Sequence, residues 1–179
     1  KAGGITVATM PLPRAKELKA IIEIAQVTHA LCDARLADEL RSAAAAAPVL
    51  RHVKLFNDDT AQGLEAAMAA SRTAATDTCL RGCTSGTTGV PKATMHFHRD
   101  VMAACVCWPP HMLRATADDI FIGSPPLAFT FGLGGLLLFP MAVGASVALL
   151  EKAAPAQVLE GIQDFGATVL FTAPTSYRA

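Results

Sequence analysis

Neither sign of charge is in excess: 15 Lys and Arg offset 15 Asp and Glu, giving a formal net charge of zero with histidine neutral. No global field therefore draws the chain to nucleic acid or to anionic lipid, and any basic contact has to be local. Charge is also sparse, at 17% of residues against 52% apolar, which excludes a disordered chain and supplies one substantial core or two smaller ones. No Cys-x-x-Cys pair occurs, and the cysteines number 5, an odd count. A disulfide scaffold is thereby disfavoured, and a reduced, cytoplasmic chain is the expectation. A starting Met is missing too, and the chain stops at Tyr177-Arg178-Ala179 where a helix pattern begins, so both ends read as cut.

From Ile120 to Leu150 there is no charged residue at all, and a membrane span has to be considered. The interior of the stretch argues against it. Gly132, Gly134, Gly135 and Gly144, with Pro125, Pro126 and Pro140, break any straight apolar helix of membrane length. The expected form is a deeply buried helix followed by a buried strand at 146–150, with no membrane span.

Elsewhere apolar runs of strand length alternate with helical patterns. Strands are expected at 5–9, 27–32, 53–56, 79–83, 93–97, 120–123, 146–150 and 168–172, most of them ending in Gly, Pro, Asp, Asn or Ser. Helices are expected at 14–26, where Leu18, Ile21, Ile22 and Ala25 recur at helical spacing, and at 34–46, 61–71, 100–113 and 155–165. Five alanines, Ala43 to Ala47, close the second helix ahead of Pro48. This rhythm predicts an α/β fold with parallel-rich sheets joined by crossover helices. The small polar segment 71–78 marks a boundary between a first α/β subdomain, 1–73, and a second segment, 74–179.

The chemistry is concentrated in Thr84-Ser85-Gly86-Thr87-Thr88-Gly89-Val90-Pro91-Lys92, between two strand candidates. Glycines let the backbone approach an anion with its N–H groups turned inward, hydroxyls add donors, and a lysine ends the loop as a point charge. A plain flexible turn is the bland reading, since Gly, Ser and Thr are common in loops. The order here is too particular for that, and a phosphate loop is the better assignment. It is not a Walker A loop: Lys92 follows Pro91 rather than Gly, Ala93 replaces the Ser or Thr, and a strand rather than a helix follows.

The loop resembles the signature of the adenylate-forming superfamily, the acyl-CoA ligases and their relatives, Thr/Ser-Ser-Gly-Thr/Ser-Thr-Gly-x-Pro-Lys. One departure is Ala93, where most relatives carry a further glycine; its methyl should alter loop mobility more than phosphate contacts. Lys1-Ala2-Gly3-Gly4 with Pro11-Leu12-Pro13 is similar to an earlier family motif, and Pro126-Leu127-Ala128-Phe129-Thr130-Phe131-Gly132 resembles the segment beside the acyl pocket. Met95 to Asp100 and the run around Phe129 look most like the benzoate– and 2-aminobenzoate–CoA ligases.

The resemblance implies a fragment of the large N-terminal domain of such an enzyme. It implies ATP with Mg2+, CoA and a small aromatic carboxylate as cofactors and partners. The carboxylate attacks the α-phosphate of ATP, pyrophosphate leaves, and a thiol captures the acyl-adenylate. By position, Thr84, Ser85, Gly86, Thr87, Thr88, Gly89 and Lys92 would hold the β- and γ-phosphates, with Lys92 catalytic. Phe129 would flank the carboxylate, also in a catalytic place, and Phe131, Gly132 and Leu133 would line the acyl pocket. The family's later Tyr-Gly-x-Thr-Glu motif, ribose-binding aspartate and adenylation lysine are absent from 1–179, so this piece is expected to be inactive alone. Other readings stay open: a fatty acyl-CoA ligase, a peptide-synthetase adenylation domain, or a phosphate-binding module without catalysis.

Further candidates have simpler explanations. His96 and His98, sharing a strand face, could form half of a metal site but have no placed acidic or thiol partner, so no metal site is assigned; a hydrogen-bonding role is expected for His98. Cys105 and Cys107 are expected in core packing, Trp108 against its own domain, and Asp118 and Asp119 in a solvated turn.

Overall fold

The 14–26 pattern folds as expected into α1 (Ala15–Ala25). Its first turn is satisfied from two directions: Glu17 accepts from the Arg14 N–H, and Glu39 accepts from the Ala15 N–H at 2.8 Å and from the Arg14 guanidinium at 3.1 Å. Glu39 belongs to α2 (Ala37–Ala45), which follows a 3-10 turn at Ala34–Leu36, so the two helices are pinned at the point where α1 begins. Ile22, Leu40, Ala43, Ala47 and Leu50 form the core between them, and the alanine run is thus a packing surface rather than filler. In the computed structural model, residues 3–10, 13–57, 73–84 and 92–178 are described. The expected helix at 61–71 lies outside them.

Between the helices, β1 (His29–Asp33) pairs in parallel with β2 (His52–Phe56), from His29 opposite His52 to Asp33 opposite Phe56. Next, β3 (Thr78–Thr84) and β4 (Lys92–Phe97) form an antiparallel pair rather than a further crossover. The expected strand at 5–9 contributes only one bridge, Thr6 to Leu80, made by the Thr6 N–H to the Cys79 carbonyl and the Arg81 N–H to the Thr6 carbonyl, each 2.9 Å.

The third sheet is parallel and ordered β6-β5-β7, with β5 (Ile120–Gly123) central, β6 (Ser146–Ala148) and β7 (Val169–Phe171). Strand periodicity sorts its side chains: Phe121 stands level with Val147 and Val169, Ile122 with Ala148 and Leu170. The first row joins Leu136, Ala115 and Phe171 in one core, with Phe139 and Val143 against it. The second row faces α6 (Pro155–Phe165), whose Gly161 comes so close to Ile122 that an added Cβ would lie 2.8 Å from its Cδ1. Both faces of the central strand are therefore covered, and Phe121 and Ile122 are each 0% exposed.

The uncharged stretch forms a helix that is only partly buried: α4 (Thr130–Leu133), a π-helical turn at Gly134–Leu138 and α5 (Phe139–Val143) run on into β6. The deep burial expected of both helix and strand is corrected, since Phe131 and Met141 on the helix are 49% and 70% exposed and Leu149, just past β6, is 57% exposed. The π-turn absorbs Pro140, which has no N–H to give the preceding turn. Gly144, at φ +75°, ends the run in the left-handed conformation that glycine adopts without a Cβ penalty. No helix among the described residues is long and apolar enough to cross a membrane.

The expected 100–113 helix and the shared strand face of His96 and His98 are corrected here. The 100–113 helix begins earlier and breaks: α3 (His98–Cys107) is followed by a π-turn at Pro109–Leu113, because neither Pro109 nor Pro110 can donate into a continuing helix. His98 consequently opens a helix and does not share a strand face with His96. By compactness the chain divides into Lys1–His98 and Arg99–Ala179. β3 and β4 fall in the first unit, where the Arg81 guanidinium reaches the last carbonyl of α1.

Candidate functional site

The glycine- and threonine-rich loop hangs from a hairpin. Thr84, the last residue of β3, is the register partner of Lys92, the first of β4, and below them Cys83 pairs with Ala93 and Gly82 with Thr94. Antiparallel pairing brings the two loop ends together, so Lys92 stands exposed where the loop closes. Ser85, Gly86, Thr87, Thr88 and Gly89 lie outside the described residues.

The stem is fastened by side chains. The Thr94 hydroxyl donates to the Gly82 carbonyl at 3.1 Å and lies 3.0 Å from His96 Nε2, so His96 has a local partner on its own strand. His98 is held through its backbone, its N–H donating to the Asp77 carbonyl at 3.1 Å. Cys83 sits one residue before the loop, and burial pushes its thiol up from the ordinary range, which keeps it protonated and a poor nucleophile. A basic residue closing a loop of small, donor-rich residues on a rigid stem is suited to holding a polyphosphate chain.

In the second unit, Phe129 is the N-cap of α4. Its N–H donates to the Pro126 carbonyl at 3.1 Å, and its own carbonyl accepts from Leu133 at 2.8 Å. Phe129 and Phe131 are 50% and 49% exposed, two aromatic faces presented on one short helical entry. Phe131 is backed by the core, its ring centroid 5.6 Å from that of Phe171, while Gly132 is buried against the Pro125–Pro126 backbone and Leu133 is half-buried. The structure thus gathers Phe129, Phe131, Gly132 and Leu133 on one element.

A cavity of about 230 Å³ opens elsewhere on this unit, at the C-terminal ends of β5 and β7. Ser124, Thr172, Ser176 and Tyr177 line one part of it and Val158, Leu159, Ile162 and Leu170 another; Ser124 and Thr172 share a 2.7 Å hydroxyl contact. Sequence reasoning passed over these hydroxyls. The signal was available in principle, since Thr172 ends one predicted strand, Ser124 directly follows another, and parallel sheets gather ligands at that edge.

The other candidates have structural roles. Cys105 is buried, its thiol pointing at the Leu138 carbonyl, but Cys107 is exposed and not in the core as expected, because neighbours at that spacing leave a helix on different faces. Trp108 packs on Phe139 and Phe171 of its own unit, centroids 5.4 and 5.9 Å away. Asp119 accepts from the Thr116 N–H and from the hydroxyls of Thr168 and Thr116, contacts that hold its carboxyl below the usual carboxylate range in a turn ahead of β5. Among the described residues no group of three or more His, Cys, Asp and Glu side chains is arranged to hold a metal ion.

A loop of this composition on a strand hairpin is matched by a known family across the whole chain: residues 1–179 fit the model of the AMP-binding enzymes. The chain belongs to the AMP-binding enzyme family. Among curated AMP-binding relatives it is 31% identical to the benzoate–CoA ligase of Thauera aromatica over 140 residues, 74% of this chain and 27% of the relative. It is 37% identical to the anthranilate–CoA ligase of Pseudomonas aeruginosa over 103 residues, 56% and 20% of the two chains. The crystal structure of the anthranilate CoA ligase AuaEII in complex with anthranoyl-AMP superposes with a TM-score of 0.85 at 28% identity, covering 97% of this chain and 36% of that one. The chain thus spans about a quarter of the length of the curated AMP-binding relatives it matches. The adenylate-forming fold and the likeness to aromatic acid–CoA ligases, both expected from the motifs, are borne out.

Proposed function

We propose that this chain is the phosphate-loop and acyl-pocket part of an ATP-dependent carboxylate–CoA ligase that activates an aromatic acid, benzoate or 2-aminobenzoate, in the cytoplasm. The observation that carries the proposal is the hairpin registering Thr84 against Lys92, with the donor-rich loop strung between them. The division of labour between 1–73 and 74–179 belongs to the same reading, since the second segment holds both the loop and the aromatic pair.

A free carboxylate is a poor acyl donor because its own oxygen leaves badly. In the reaction proposed, a carboxylate oxygen bonds to the α-phosphorus of ATP as the bond to the β-phosphate oxygen breaks. The sulfur of CoA then bonds to the acyl carbon as AMP departs. Mg2+, arriving on the ATP phosphates, supplies charge neutralisation. Lys92 offsets the negative charge growing on the departing pyrophosphate, and Thr84, Ser85, Gly86, Thr87, Thr88 and Gly89 present N–H and hydroxyl donors to the β- and γ-phosphates. Phe129 bounds the carboxylate end of the acid, and Phe131 with Gly132 and Leu133 forms an apolar wall for the ring. Burying that ring is favourable at roughly 25 cal/mol per Å² of apolar surface, whereas a second ionised group would lose hydration without gaining a partner from this uncharged stretch.

Carboxylate-dependent exchange of pyrophosphate into ATP by the full-length protein tests the proposal. Exchange with benzoate or 2-aminobenzoate exceeding that with acetate, dicarboxylates and palmitate is expected. Exchange driven best by palmitate or an amino acid would refute the aromatic assignment, and ATP binding without exchange for any acid would refute the ligase.

A further inference from the structure

Arg81 stands out in the stem of the phosphate loop. It is half-buried in β3, three positions before Thr84, and carries three restraints at once. Its backbone pairs with Met95 of β4, its N–H donates to the Thr6 carbonyl at 2.9 Å, and its Nη1 donates at 2.6 Å to the carbonyl of Ala25. Ala25 is the final residue of α1, a helix with no basic residue in its last turn. Arg81 supplies from the sheet the cation that a helix C-terminus attracts, and it does so across 56 residues of sequence.

The side chain spends its one described hydrogen bond on that carbonyl. Its Nε is buried and, among the described residues, has no hydrogen-bond partner. The guanidinium is thus a single strut between the end of α1 and the strand that delivers the loop.

We propose that Arg81 is a positioning residue for ATP: by locking β3 to the C-terminus of α1 it fixes the hairpin from which the phosphate loop is presented. The inference rests on the ATP-binding assignment above and adds a residue that does not itself touch nucleotide. Loss of the strut leaves the loop's composition intact but frees the β3 stem that carries Thr84 opposite Lys92, so the penalty falls on nucleotide affinity and not on the acid.

The test uses the full-length protein and its Arg81→Met, Arg81→Gln and Arg81→Lys variants. Mg-ATP affinity is measured by calorimetry, KM for ATP and for the carboxylate by pyrophosphate exchange, and Tm by thermal melting. Arg81→Met is expected to weaken ATP binding by about tenfold, the order of one charge-assisted hydrogen bond, while the KM for the acid stays within about twofold. Arg81→Lys should recover most of the loss. If Arg81→Met does not fold, the same split between ATP and acid is read on Arg81→Gln. A lowered Tm with unchanged ATP affinity overturns the proposal, as does equal weakening for ATP and acid. A wild-type protein that binds ATP but shows no exchange removes the ligase reading while the calorimetric comparison still decides the role of Arg81; one that binds no ATP overturns both.

Discussion

Alanine at Gly132 should be destabilising, against the usual direction for a helical glycine. In an exposed helix interior, replacing Gly by Ala gains about 0.5–1 kcal/mol through the unfolded chain and helix propensity. At Gly132 the new Cβ would lie 2.6 Å from the Pro126 carbonyl carbon and 2.7 Å from the Pro125 oxygen. These are backbone atoms in a segment stiffened by two consecutive prolines, so no side chain can swing aside and the entry to α4 has to move. Overpacking of this kind costs about 1–3 kcal/mol, which exceeds the propensity gain. A net loss of about 1–2 kcal/mol lowers Tm by roughly 5–10 °C in a unit of this size. The protein's 1 Trp is well placed to report it, since Trp108 packs on Phe139 and Phe171 of the same core. Gly161→Ala is the control: its nearest obstacle is Ile122 Cδ1 at 2.8 Å, the end of a flexible side chain, so its loss should be smaller. Because Phe129 and Phe131 ride on the displaced turn, Gly132→Ala should also raise KM for the carboxylate while leaving KM for ATP alone. An equal or higher melting temperature for Gly132→Ala, or a smaller loss than for Gly161→Ala, would refute the reasoning.

Lys92→Ala in the full-length enzyme should slow adenylate formation far more than transfer from preformed acyl-adenylate to CoA, and equal losses in the two half-reactions would remove its assigned role. Phe121→Ala empties the centre of the β6-β5-β7 core, where the ring is 0% exposed, and urea unfolding should register a loss of about 3–5 kcal/mol. Phe131→Ala should reduce the preference for aromatic over short acids in kcat/KM, with ATP affinity unchanged. Acid should loosen the α1–α2 pair: the Ala15 N–H and the Arg14 guanidinium hold the Glu39 carboxyl below its ordinary value. Its contribution is thus complete above an unfolded value of about 4.3 and lost as pH falls through the lower folded value. Glu39→Gln should flatten stability against pH in that acid range, measured by circular dichroism.

Much of this molecule is written locally. The strand at 120–123 and the helix at 155–165 emerge with the bounds that their periodicity predicts, because each is a short apolar or amphipathic run closed by Gly, Ser or Pro. The phosphate-binding role proposed for the loop from Thr84 to Lys92 was suggested by composition and order, since binding a polyphosphate would call for small residues, donors and a cation close together in sequence. The pocket role proposed for Phe129 and Phe131 came from the resemblance of the segment Pro126 to Gly132 to a family motif, not from local pattern. Tertiary structure decided what adjacency in sequence cannot express. That β3 and β4 are antiparallel, so that Thr84 meets Lys92, depends on hydrogen bonds between strands. Which face of β5 meets α6 and which meets Leu136 of the π-turn depends on register with β6 and β7. The meeting of Ser124 with Thr172, the capping of α1 by Glu39 and the reach of Arg81 to Ala25 join residues 48, 24 and 56 positions apart. A side chain's partner at such separations is set by how the backbone closes on itself, and only packing of the whole unit selects one closure among the many that the local pattern allows.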